Sequence, residues 1–104
     1  MRAEVLKGHL DALILAVIAD GPMHGYAIIE ALKRRSGGSL SLPEGTVYPA
    51  LHRLEGAGLL SSTWSTGEGR RRRVYELTRR GRRELGVRRS EWRDFVNVVE
   101  AVLA

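Results

Sequence analysis

A run of four arginines between two short β-type segments is the feature that most constrains this chain. Residues 70–73 are all arginine, and they follow a glycine-rich turn at residues 66–69. The flanking stretches, residues 59–64 and 74–77, have the composition of strands, which predicts a hairpin with the arginines at its tip. Four neighbouring guanidinium groups repel one another unless a polyanion neutralises them, so the run favours a phosphate backbone as partner.

A merely solvated charge run is the alternative, because most basic stretches are exposed faces without a ligand. What favours a ligand here is the position of the run. It follows two consecutive helical segments that are joined by a turn, at residues 24–35 and 43–56.

The composition is that of a small basic domain. The chain has 104 residues, 43% of them hydrophobic, and a formal net charge of +5. The lack of cysteine excludes disulfides and thiolate metal sites, and the three histidines (His9, His24 and His52) do not share metal-ligand spacing. We therefore expect no metal and no cofactor. The longest apolar run, residues 12–19, is far too short to cross a membrane, so we expect a cytoplasmic protein without a membrane partner.

Three helical segments precede the hairpin. Residues 10–19 are apolar on nearly every side, which predicts a buried helix that ends at the Gly-Pro pair after it. The second helix, residues 24–35, has its apolar residues at helical spacing, which predicts an inward stripe of Tyr26, Ile28, Ile29 and Leu32. The third helix runs from residue 43 or 44 to 56, with an inward face of Val47, Leu51 and Leu54.

The outer face of the third helix carries hydrogen-bonding side chains near its N-terminal half. They are Thr46, Tyr48, Pro49, His52 and Arg53. A helix-turn-helix presents such a face to the DNA major groove. Pro49 lacks the N–H that would bond back to Gly45, so either the first turn is irregular or the regular helix starts later.

A last helix is predicted at residues 79–103, with Thr78 as its N-cap. Its apolar residues form a heptad-like stripe of Leu85, Trp92, Phe95, Val96, Val99 and Leu103. We expect this stripe to be a dimer interface, because ordering so long a helix needs more apolar burial than a small body provides. The alternative is that the helix folds back on its own domain.

The order helix, helix, helix, hairpin, helix defines a mainly α fold with a small β-hairpin. It is a winged helix-turn-helix at residues 1–78 followed by a C-terminal dimerisation helix at residues 79–104. Several stretches resemble the PadR family of bacterial transcriptional regulators. They are GPMHGY at residues 21–26, LPEGTVYPALHRLE at 42–55, GLL at 58–60, and GRRRRVYELT at 69–78 with Gly81.

The resemblance implies a homodimer that binds double-stranded DNA at a near-palindromic operator and usually represses. It places Thr46 and Tyr48 near the DNA, Tyr26 near the phosphate backbone, and Arg70, Arg71, Arg72 and Arg73 in a basic wing. Trp92 matches an aromatic position that, in some short members, lines a pocket for a small planar aromatic effector at the dimer interface. The alternative for Trp92 is plain interface core.

A second class of function stays open, namely a winged-helix interaction module that binds an acidic protein partner. Affinity that falls steeply with salt, together with preference for one duplex, would indicate DNA instead. An enzyme is not expected, because no nucleophile stands beside a base and no glycine-rich phosphate loop is present.

Overall fold

The computed structural model describes residues 3–6 and 8–104; Met1, Arg2 and Lys7, which fall in the predicted domain at residues 1–78, lie outside the described residues. The described helices and strands are α1 (Ala3–Leu6), α2 (Leu10–Ile18), β1 (Met23–His24), α3 (Gly25–Arg35), α4 (Glu44–Gly56), β2 (Leu60–Ser65), β3 (Arg72–Leu77) and α5 (Arg79–Leu103). This order confirms the predicted winged-helix fold with a long C-terminal helix. None of these helices has both the length and the hydropathy that crossing a membrane requires.

The core lies between α2, α3, α4 and the sheet. Its largest fully buried side chains are Ile14, Leu15, Ile18, Ile28, Val47, Leu51 and Leu60. The inward stripe of α3 differs from the predicted one in a single residue, because Tyr26 is 58% exposed. Gly25, Ile28, Ile29 and Leu32 are the buried residues at positions i, i+3, i+4 and i+7, and Tyr26 is rotated off that face by one helical step. The prediction that Tyr26 belongs to the apolar stripe is therefore wrong.

Helix α4 is continuous through Pro49, so its regular part does not start after this residue. The helix starts at Glu44, with Pro43 as the N-cap residue. The carbonyl of Pro43 accepts from the backbone N–H groups of both Thr46 and Val47, at 3.0 and 3.2 Å. The first turn is thus tightened by an i+3 bond, and the missing N–H of Pro49 leaves the helix uninterrupted.

The sheet has three antiparallel strands in the order β1-β3-β2. The predicted hairpin is confirmed, with Leu60 opposite Leu77 and Trp64 opposite Arg73. Because β3 begins at Arg72, two of the four arginines belong to the strand rather than to the tip. Strand β1 was not predicted from the sequence, and it pairs His24 with Val74.

Thr78 joins the sheet to α5. Its hydroxyl accepts from the backbone N–H of Gly81 at 3.0 Å and donates to the carbonyl of Gly58 at 2.7 Å, which confirms the predicted N-cap. Gly81 lies against the carbonyl of Leu59, where an added Cβ would clash with the oxygen. The start of α5 is therefore fixed tightly to the body.

The first part of α5 packs into the core of its own domain. Leu85 is 4% exposed and belongs to the core, so its assignment to a dimer interface is wrong; the close packing at Gly81 directs this turn inward. Beyond it, most of the large apolar side chains are exposed, namely Val87, Trp92, Phe95, Val98, Val102 and Leu103. The helix projects from the body and gives the molecule extents of 55 × 29 × 20 Å.

Candidate nucleic-acid interface

The outer face of α4 is exposed, as its spacing predicted. Val47, Ala50, Leu51 and Leu54 are its buried residues. The predicted site residues on the other side are the half-buried Thr46 and the exposed Tyr48, Pro49, His52 and Arg53. Among them, Arg53 is engaged within the protein, because its guanidinium donates to the carboxylate of Asp11 on α2.

Tyr48 is held against the start of α3. A Cβ built on Gly25 would lie 2.5 to 2.6 Å from ring atoms and the hydroxyl of Tyr48, which means that only glycine permits this approach. The Tyr48 side chain stays 39% exposed. Tyr48 thus touches the residue that directly precedes Tyr26 in α3, and both tyrosines are exposed.

Trp64 organises one face of the wing, which we define as residues 60–77. The guanidinium carbons of Arg71 and Arg73 lie 4.5 and 5.2 Å from the centre of a Trp64 ring. Cations at this distance over an indole are attracted by its π electrons. The indole thus attracts two of the four guanidinium groups. The pairing of Trp64 with Arg73 across the hairpin is the feature that indicates this role.

Arg73 is also tied to α4 through a small polar network. Its Nε donates to the Ser62 hydroxyl at 2.7 Å, and that hydroxyl donates to the Glu55 carboxylate at 2.6 Å. The Arg73 guanidinium itself lies 3.8 Å from the same carboxylate. Burial, together with the negative charge of Glu55, raises the pKa of the neighbouring Tyr75. Arg73 is therefore partly neutralised, and it fixes the wing to α4.

Arg72 points to the opposite face of β3. Its Nη1 lies 3.0 Å from Nε2 of His24, and the other ring nitrogen of His24, Nδ1, accepts from the backbone N–H of Ala27 at 3.2 Å. His24 is the N-cap of α3. Sequence reasoning missed His24, since histidine is not among the preferred caps and its neighbour Arg72 is remote in the chain.

A separate groove of about 570 Å³ lies between α1, α2 and α5. Trp92 lines it and makes an edge contact with His9, at 5.3 Å between ring centres, and a tilted one with Phe95 at 6.0 Å. Of the two arginines at the groove, Arg88 pairs with Glu84 at 2.8 Å. Its described lining residues belong to neither α4 nor the wing, so the structure separates Trp92 from the predicted DNA-binding residues.

Comparisons with known proteins agree with this architecture. The profile of the transcriptional regulator PadR-like family matches residues 14–87. A PadR family transcription regulator from Clostridium difficile is similar to the chain with a TM-score of 0.82 and 33% identity, over 93% of this chain and 100% of that one. A PadR family transcriptional regulator from Eggerthella lenta gives a TM-score of 0.85 and 31% identity, over 96% and 86% of the two chains.

One curated relative has a stated role. The transcriptional regulator Rv3488 of Mycobacterium tuberculosis is 43% identical over 72 residues, which is 69% of this chain and 64% of that protein. The family and these relatives are transcriptional regulators rather than enzymes. With the family profile covering most of the chain and the winged-helix architecture matching solved PadR structures, the protein belongs to the PadR-like family of DNA-binding transcriptional regulators.

Proposed function

We propose that the protein is a homodimeric repressor that binds a near-palindromic operator through α4 and the wing. The observation that carries the proposal is the exposed face of α4, with Tyr48 fixed on Gly25 beside a wing of four arginines. A helix of this exposure and composition suits the major groove. The arginines suit the flanking phosphates, where each neutralised charge releases counterions.

The individual contacts follow from the chemistry of the side chains. Thr46, Tyr48 and His52 carry groups that donate and accept hydrogen bonds at base edges. Pro49 contributes a flat apolar surface beside them. Tyr26, Arg70, Arg71 and Arg72 reach the phosphate backbone, whereas Arg53 and Arg73 contribute less because carboxylates of the protein already engage them.

The second half of α5 is the proposed dimer interface, so that residues 1–78 bind DNA and residues 79–104 assemble the dimer. Its exposed or half-buried apolar side chains at the predicted positions are Trp92, Phe95, Val96, Val99 and Leu103. A contiguous apolar patch of this kind on a small protein marks an interaction site. A two-fold dimer would hold two α4 helices about 34–36 Å apart, one turn of DNA, or a multiple of it.

The groove beside Trp92 is the proposed site for a small planar aromatic effector. Trp92 and Phe95 offer ring faces, and Arg89 adds positive charge at the lining. A ligand there would change DNA affinity only if it binds the DNA-competent and incompetent dimers differently. Planar aromatics should quench Trp92 fluorescence in a Trp64→Phe variant and shift operator affinity. If none quenches, Trp92 is plain interface core.

Footprinting on the DNA upstream of the protein's own gene tests the proposed function. We expect a protected site with two similar halves, and affinity for it well above that for a random duplex. Reporter expression from that promoter should rise when the gene is deleted. Binding that falls with salt but shows no preference among duplexes, together with capture of an acidic protein, would favour an interaction module instead.

A further inference from the structure

We propose that His24 and Arg72 jointly bind one phosphate of the DNA backbone, with the imidazole donating from Nε2 and the guanidinium from Nη1. The inference rests on the proposed DNA binding and adds to it a contact residue outside α4 and the wing. The observation behind it is the approach of these two nitrogen atoms to 3.0 Å.

The position of the proton on the His24 ring follows from the helix that this residue caps. Nδ1 accepts from the backbone N–H of Ala27 at 3.2 Å. A backbone N–H is always a donor, and the first turn of α3 fixes its direction. A neutral imidazole has a single N–H, so a capping His24 carries its proton on Nε2.

Arg72 therefore meets a donor instead of an acceptor. A guanidinium group has only N–H donors, and two donors cannot hydrogen-bond to each other. Both are satisfied at once by an oxygen that accepts from the two together. An anionic oxygen makes the stronger, charge-assisted bonds, and a phosphate supplies it.

The tautomer of His24 with the proton on Nδ1 is less stable than the one with the proton on Nε2. With the proton on Nδ1, His24 would accept from Arg72, but the N–H of Ala27 would lose its cap. Arg72 can turn away through its flexible side chain, whereas the backbone of α3 cannot. The tautomer with the proton on Nε2 is thus the one that the fold selects.

The pair connects two parts of the proposed DNA-binding surface. His24 precedes Gly25, the residue on which Tyr48 rests, and Arg72 is part of the wing. Cross-strand pairing of His24 with Val74 holds the ring beside β3. Only the end of the Arg72 side chain has to shift when a phosphate binds between the two groups.

A His24→Ser variant separates the phosphate contact from the cap. Serine is a preferred N-cap, so the melting temperature should stay near that of the wild type, but serine cannot reach the phosphate. Affinity for operator and random duplexes should fall alike by roughly tenfold, the size of one charge-assisted hydrogen bond. Unchanged affinity at matched stability would overturn the proposal.

Arg72→Ala and the double variant test whether the two residues share one phosphate. Arg72→Ala should flatten the slope of log K against log salt by about 0.9, whereas His24→Ser should leave that slope unchanged. The double variant should lose less affinity than the product of the two single losses. Independent losses would contradict a shared phosphate.

Nitrogen NMR of the wild-type ring gives a readout that does not depend on any variant. We expect the tautomer protonated on Nε2 in the free protein and in the DNA complex. Protonation on Nδ1 would refute the inference. A wild-type protein that binds no duplex at all would instead refute the proposed function, so the two failures are distinguishable.

Discussion

Replacing Gly25 with alanine tests whether the position of Tyr48 determines DNA recognition. The added Cβ would lie 2.5 to 2.6 Å from Tyr48 atoms, whereas carbon atoms in contact prefer roughly 3.5–4.0 Å. The ring must therefore retreat by about 1 Å. It has room to do so, because the Tyr48 side chain is already 39% exposed.

The effect on stability should be small. Overpacking costs about 1–3 kcal/mol in a closed core, but this ring can move toward solvent. Alanine is also favoured over glycine in a helix by roughly 0.5–1 kcal/mol. We expect the free energy of unfolding of Gly25→Ala to change by no more than about 1 kcal/mol, which moves the melting temperature by at most about 4–8 °C.

The effect on operator binding should be larger. Loss of one base contact costs about 1–3 kcal/mol, which is roughly 5- to 150-fold in Kd. Fluorescence anisotropy with operator and random duplexes measures it, beside thermal unfolding. Gly56→Ala in α4 is the matched control, because its Cβ would meet no atom within 4 Å. If Gly25→Ala bound the operator as tightly as Gly56→Ala, the argument that Gly25 positions Tyr48 for recognition would be refuted.

Three further variants address the wing, α4 and α5. Arg71→Ala should flatten the slope of log K against log salt by about 0.9, and Arg73→Ala should flatten it less, because Glu55 lies 3.8 Å from Arg73. Equal slopes for the two variants would show that Glu55 does not reduce the contact of Arg73 with phosphate. His52→Ala should change preference within an operator library more than general affinity, and a uniform loss would limit it to backbone contact. Val99→Glu should give monomers in sedimentation, since it would bury an unpaired charge; an intact dimer would place the interface elsewhere.

Features governed by neighbours in the chain were predictable. The hairpin, the cap at Thr78 and the exposed face of α4 follow from turn residues, cap chemistry and helical spacing, and the structure has all three. Spacing alone was less decisive for Tyr26 and Leu85. Tyr26 is one helical step off the buried stripe, and spacing does not distinguish such a residue from a member of the stripe. Leu85 fits the heptad pattern, but that pattern does not distinguish the core of a domain from a dimer interface.

Features that depend on distant segments were not predictable. Strand β1 is two residues long and exists because β3 pairs with it. The approach of His24 to Arg72 spans 48 positions of the chain. The anchoring of Tyr48 needs a glycine on another helix, and the sequence shows that glycine without showing what it faces.

The passage from β3 to α5 through Thr78 alone has a mechanical consequence. The Thr78 hydroxyl closes the first turn of α5 and at the same time holds the carbonyl of Gly58 at the entrance to β2. The contact of Gly81 with the Leu59 carbonyl further restricts movement of the first turn of α5 relative to β2. The first turn of α5 and the base of the wing are thus joined at Thr78, so a displacement of that turn would be transmitted directly to β2 and β3.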